Sequence, residues 1–125
     1  MFRMAGEETP VRRILVIDDE PSVRSMLTRA LAVWQFEAVA VPAAEEALAR
    51  LRSGEQFACI LLDLTMPGMG GEAALREIEA LAPGTPVALM SGFPRDDLAG
   101  QGRHFIAKPF DLETLHSLLE RLAGP

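Results

Sequence analysis

Five short apolar runs, most followed by a segment whose apolar residues recur at helical spacing, restrict this chain more than any other feature of its sequence. Arg13–Ile17 is rich in β-branched residues, as a strand buried on both faces requires. Pro21 suits a first helical turn, and Val23, Met26, Leu27, Ala30, Leu31 and Trp34 then share one helix face. Glu37–Val41 reads as a second strand. Pro42 ends it and opens a helix carrying Ala44, Ala47, Leu48 and Leu51, closed by Ser53-Gly54. Ala58–Leu62 is a third strand, and the Pro- and Gly-bearing stretch Asp63–Gly71 is a loop. Leu75, Ile78 and Leu81 mark a third helix stopped by Pro83-Gly84. Pro86–Met90 and His104–Ala107 are strands four and five, and Asp111 is the N-cap of a last helix with Leu112, Leu115, Leu118, Leu119 and Leu122.

Strand followed by helix, repeated, implies a parallel sheet with helices on both faces, because right-handed crossovers return the chain to the same edge. In such α/β sheets, ligands bind beyond the carboxyl ends of the strands where the strand order reverses. The residues at those ends are Asp18-Asp19-Glu20 after strand one, Asp63 after strand three, Ser91 after strand four and Lys108 after strand five. With the order 2-1-3-4-5, strands one and three are neighbours, so the carboxylates meet in one crevice. Only sixteen residues separate Ser91 from Lys108, and they must supply a loop, a helix and strand five. The helix is therefore expected to be shortened or irregular, between Arg95 and Gln101, and about 10–12 Å long.

Carboxylates at close range repel one another and are costly to ionise without a cation. A hard, oxygen-only donor set suits Mg²⁺ or Mn²⁺, while no Cys/His cluster is available for zinc. The competing reading of Asp18-Asp19-Glu20 is capping of the helix that follows, which acidic residues favour through the helix dipole. Lys108 is the only lysine, the other eleven basic residues being arginine. A compact ammonium after strand five suits an anion in the crevice; otherwise it is a solvated charge before the turn at Pro109.

Four stretches carry a family resemblance: Ile14-Leu15-Val16-Ile17-Asp18-Asp19-Glu20-Pro21, Leu61-Leu62-Asp63-Leu64-Thr65-Met66-Pro67-Gly68-Met69-Gly70-Gly71, Met90-Ser91-Gly92-Phe93 and Phe105-Ile106-Ala107-Lys108-Pro109-Phe110. Over residues 11–123 the chain resembles a receiver domain of the response-regulator family of two-component phosphorelay signalling. The resemblance implies a flavodoxin-like, doubly wound, five-stranded parallel sheet. It implies Asp63 as the phosphoacceptor nucleophile, with Ser91 and Lys108 bonding the phosphoryl oxygens. Asp19, Asp63 and the backbone carbonyl of Thr65 would ligate Mg²⁺ (or Mn²⁺), and Asp18 would act mainly through a bound water. Lys108-Pro109 would be a cis peptide. Ser91 and Phe105 would form the switch, Ser91 moving toward the phosphoryl group and Phe105 turning inward; the competing reading of Phe105 is a static core side chain. The phosphodonor would be a histidine kinase or histidine phosphotransfer domain. The family usually has a longer fourth helix, and the Ser-Gly-Phe and Lys-Pro-Phe pattern also resembles receivers attached to hybrid histidine kinases.

Composition narrows the alternatives. At 125 residues the chain suits one domain, with Met1–Pro10 as a loose tail without the apolar core of a secretory signal. No apolar run approaches the roughly 18–20 residues of a bilayer span. A net charge of −6 argues against nucleic-acid binding through this domain. The single Cys59 excludes an internal disulfide and reads as a buried thiol in a reducing, cytoplasmic setting. Nothing in the sequence demands an oligomer, and a monomer is compatible with it. His104 and His116 read as surface or boundary side chains, and Met66 and Met69 as packing residues. A receiver acting on itself rather than on a substrate is favoured. A degenerate receiver that binds partners without phosphorylation conflicts with the intact set Asp18, Asp19, Asp63, Ser91 and Lys108. A phosphatase or nucleotide-binding enzyme ranks last, because no phosphate-binding glycine loop follows strand one.

Overall fold

Alternation of side chains along each strand sorts the apolar residues into two separate cores, one on each side of a single sheet. The computed structural model describes residues 11–66, 70–93 and 102–124. In chain order the elements are β1 (Arg12–Ile17), α1 (Pro21–Val33), β2 (Phe36–Val41), α2 (Ala44–Arg52), β3 (Cys59–Asp63), α3 (Gly71–Leu81), β4 (Val87–Ser91), β5 (His104–Ala107) and α4 (Leu112–Ala123). The strands pair in the order β2-β1-β3-β4-β5, and every pairing is parallel. Leu15, Ile17, Ile60, Leu62 and Leu89 face α2 and α3, where Leu48, Leu75 and Ile78 meet them. Ile14, Val16, Leu61, Ala88, Met90 and Ile106 face the other way, onto Leu27 and Leu31 of α1 and Leu115 and Leu119 of α4. A fully buried leucine or isoleucine contributes about 1.5–3 kcal/mol relative to exposure, so these layers hold the strand ends in register.

The register sets the geometry of the crevice. Ile17 pairs with Leu62, so Asp18 and Asp63 follow at the same level. Asp63 pairs with Met90, and Ser91 with Ala107, which brings Lys108 one residue beyond. Asp63 and Ser91 are thus the last residues of their strands rather than the first residues of loops. Ladder bonds explain the extension: Leu64 N–H donates to Met90 O at 3.0 Å and Lys108 N–H to Ser91 O at 2.9 Å.

The third helix runs to Leu81 as expected, with Leu81 at its exposed end because the face that meets the sheet is Ala74, Leu75 and Ile78. Two local expectations need correction. Asp111 occupies the N-cap position of α4 but makes no side-chain bond to the helix backbone; its Oδ2 instead accepts the Thr114 hydroxyl at 2.5 Å. Pro42 precedes α2 without entering it, and Glu45 and Glu46 in the first turn with Arg50 and Arg52 in the last complement the helix dipole. Trp34, the C-cap of α1, stacks on His116 with ring centroids 4.4 Å apart. The expected tail Met1–Pro10, the expected short helix between Arg95 and Gln101, and Met69 lie outside the described residues.

Cys59 is fully buried on β3. Burial pushes its thiol up to about 12, against a smaller lowering by a backbone hydrogen bond of Ile60. Since the thiolate is the reactive form, native protein at pH 8 should resist iodoacetamide, and the same protein in urea should take up one equivalent. Intact mass checks this. Rapid labelling of the native chain would mean that β3 opens without global unfolding.

Candidate functional site

The acidic residues after β1 are not helix caps. Glu20 holds the N-cap position of α1 but makes no side-chain capping bond, and no acidic residue occupies the first turn. Asp18 turns its side chain into the crevice. Its Oδ1 accepts the Glu20 N–H at 2.9 Å, and its Oδ2 accepts the Lys108 ammonium at 2.7 Å. Asp19 is exposed at the rim. On β3, Asp63 is fully buried, like Asp18. Its Oδ2 accepts Lys108 Nζ at 3.2 Å, and its Oδ1 accepts both the N–H of Thr65 at 2.9 Å and the Thr65 hydroxyl at 2.7 Å.

Asp18, Asp19 and Asp63 each offer a carboxylate oxygen, and these three oxygens lie within 4.8 Å of one another. The only lysine closes the far side of the group, with Glu20 3.7 Å from its Nζ. The Lys108-Pro109 bond is cis. Burial pushes the Asp18 carboxyl above the usual aspartate range, against the pull of the Lys108 and Glu20 hydrogen bonds. Desolvation draws the Lys108 ammonium down, but the Asp18 and Asp63 carboxylates outweigh it and hold its pKa above the ordinary lysine value. Lys108 therefore stays charged at neutral pH. Three carboxylates still face one ammonium, and hard oxygen donors at this spacing are a chemically suitable set for a divalent cation.

Ser91 reaches the crevice from β4 and is almost fully buried. Its hydroxyl donates to the Phe93 carbonyl at 2.8 Å and accepts the Phe93 N–H at 3.1 Å, so it is engaged with its own loop. Phe105, on β5, is half-buried against the α2–α3 core. The structure thus brings Asp18, Asp19, Asp63 and Lys108 together, with Ser91 and Thr65 beside them.

Two contributions escaped the sequence reading. Arg24, one turn into α1, donates from its guanidinium to the Asp18 carbonyl at 2.9 Å and ties the acidic turn to the helix. Its helical position facing back toward β1 was the available signal. The family resemblance implies a role for the Thr65 backbone carbonyl, yet the Thr65 side chain bonds Asp63 directly. No sequence signal separates the two roles.

Comparison with known proteins agrees with this geometry. The family model of the response regulator receiver domain matches residues 14–120. The chain is 34% identical over 118 residues to the regulatory protein AtoC of Escherichia coli K12, covering 90% of this chain and 25% of AtoC. It spans about a quarter of the length of the first curated relatives it matches. Among solved structures, the response regulator TrrA of Thermotoga maritima, in complex with Mg²⁺–BeF, superposes with a TM-score of 0.81 at 30% identity, covering 90% of this chain and 99% of that one. The chemotaxis protein CheY4 of Vibrio cholerae superposes with a TM-score of 0.82 at 25% identity, over 90% and 99% of the two chains.

Proposed function

Because this chain belongs to the response regulator receiver domain family, we propose that it accepts a phosphoryl group on Asp63 in a reaction that depends on Mg²⁺ or Mn²⁺, and switches conformation in response. The observation that carries this reading is the grouping of Asp18, Asp19 and Asp63 oxygens within 4.8 Å, closed by the Lys108 ammonium 3.2 Å from Asp63.

The donor in this reading is a phosphohistidine of a histidine kinase or histidine phosphotransfer domain. A carboxylate oxygen of Asp63 attacks phosphorus, the P–N bond breaks as the P–O bond forms, and the imidazole leaving group takes a proton. Asp18, Asp19, Asp63 and the Thr65 carbonyl would hold the cation. Bound there, it would neutralise charge on the phosphoryl oxygens. Lys108 supplies a second positive charge, already placed and needing little reorganisation. The Ser91 hydroxyl would exchange its bonds to Phe93 for one to a phosphoryl oxygen, drawing the loop after β4 inward. Phe105 would follow into the space released behind it. All of this chemistry occurs on the chain itself, including hydrolysis of its own acyl phosphate, so we do not read it as an enzyme acting on a substrate.

The net charge of −6 disfavours nucleic-acid contact through this domain. Among the described residues no helix is long and apolar enough to cross a membrane. A cytoplasmic location is part of the proposal, since a kinase in that compartment supplies the phosphoryl group.

Incubation with Mg²⁺ and a small acyl-phosphate donor, followed by intact mass, tests the reading. One phosphoryl adduct is expected, stable to acid and labile to base, and absent without divalent cation or in Asp63→Asn. An adduct that survives in Asp63→Asn would move the acceptor elsewhere. No adduct on the parent chain would favour a receiver that binds partners without phosphorylation.

A further inference from the structure

The two carboxylate oxygens of Asp63 keep different company. Oδ2 faces the Lys108 ammonium at 3.2 Å, whereas Oδ1 accepts two hydrogen bonds from one residue, Thr65. A carboxylate oxygen offers about two lone-pair directions. The Thr65 N–H at 2.9 Å and hydroxyl at 2.7 Å therefore saturate Oδ1. The N–H is fixed by the turn that follows β3. The hydroxyl is a rotor on an exposed side chain and can turn to water instead.

A divalent cation entering among Asp18, Asp19 and Asp63 is repelled by the ammonium on Oδ2 and so favours Oδ1. There it meets the hydroxyl. From this the geometry points to a second role for Thr65: its side chain is a clasp that competes with the cation for Oδ1 of Asp63 and so sets the cation affinity of the site. The inference rests on the reading of this group as a cation site. It gives the Thr65 hydroxyl an effect opposite to that expected of the Thr65 carbonyl, since the carbonyl would hold the cation and the hydroxyl hinders it. Thr65 acts through Asp63 and is a positioning residue. It also holds the acceptor carboxylate in one orientation while no cation is bound. A hydroxyl bond to an ionised carboxylate is stronger than one between neutral groups. Because the released hydroxyl is rehydrated, removal of the clasp should tighten cation binding by about tenfold, equivalent to 1.4 kcal/mol.

Titration of the chain with MnCl₂ at fixed pH, following the resonance of free Mn²⁺, reads this directly and needs no phosphodonor. Thr65→Val keeps the size of the side chain and the backbone N–H but removes the donor, and Thr65→Ala removes the donor by a different route. Thr65→Ser keeps the donor. The Val and Ala variants should bind Mn²⁺ about tenfold more tightly than the parent, and the Ser variant should match it. Equal or weaker binding by Val and Ala, with the parent binding Mn²⁺, overturns the clasp and leaves the cation reading standing. Absence of Mn²⁺ binding in the parent and all three variants overturns both.

Discussion

Replacing Lys108 with methionine is expected to cost about 3 kcal/mol of folding stability when divalent cations are chelated, and Mg²⁺ should return much of it. Methionine keeps a linear apolar stem and removes only the charge. What remains is a pair of carboxylates, Asp18 and Asp63, each 0% exposed, without the ammonium that lies 2.7 and 3.2 Å from them. Breaking a buried ion pair from one side is costly because the other charge stays buried. An exposed pair such as Arg52–Glu77, at 3.7 Å and roughly half exposed on each side, contributes only ~0–1 kcal/mol. Location, not the number of ion pairs, decides the size of the effect. A cation that binds only the folded chain stabilises it by about 2.7 kcal/mol at a hundred times its dissociation constant. The variant no longer sets an ammonium against that cation, so its urea midpoint should rise more with Mg²⁺ than the parent's does. Urea unfolding of both proteins, in chelator and in Mg²⁺, checks the two halves separately. A variant as stable as the parent in chelator would mean that the buried carboxylates do not depend on Lys108.

The parallel order and the residues gathered at the crevice were legible because both follow from local rules. Strands buried on both faces must be apolar throughout, and right-handed crossovers then leave few topologies in which Asp18 and Asp63 are not neighbours. The lone lysine could be placed for the same reason, since it directly follows the last strand. What escaped depends on contacts remote in sequence or on a choice between partners. The strand ends run one residue beyond their apolar runs because Leu64 and Lys108 find acceptors on the neighbouring strand. Position alone makes Asp111 a cap, yet a hydroxyl three residues on takes its carboxylate. The acidic triplet satisfied the rule for a helix N-terminus and for a cation site equally well. The absence of a capping bond from Glu20 and the direction of the Asp18 side chain, toward Lys108, separate them. The Thr65 hydroxyl belongs to the same class, because sequence names a donor without naming its acceptor.

Gly71 is a further residue whose importance sequence alone conceals, and its substitution should produce the largest stability loss of any glycine described. It stands at the start of α3, where a helix-forming alanine would ordinarily be favoured. A Cβ there would lie 2.6 Å from the Leu64 Cα and 2.9 Å from the Leu64 carbonyl oxygen, both backbone atoms of the residue between Asp63 and Thr65. Side-chain rotation cannot relieve such contacts, so either α3 or the turn after β3 must move. Overpacking of this kind costs about 1–3 kcal/mol, which exceeds the gain in helix propensity of at most about 1 kcal/mol. Gly71→Ala should therefore lower the urea midpoint, and Gly71→Val should lower it further. Gly84→Ala is the control, since nothing lies within 4 Å of its added Cβ and its φ is not positive. The two sites also separate stability from function. Displacing Leu64 shifts the Asp63–Thr65 pair, so Gly71→Ala should alter Mn²⁺ binding in the protein that remains folded, while Gly84→Ala should leave it unchanged. If Gly71→Ala matched Gly84→Ala in both measurements, the close approach of α3 to the acceptor turn would be adjustable, and packing from this helix would not hold Asp63 in place.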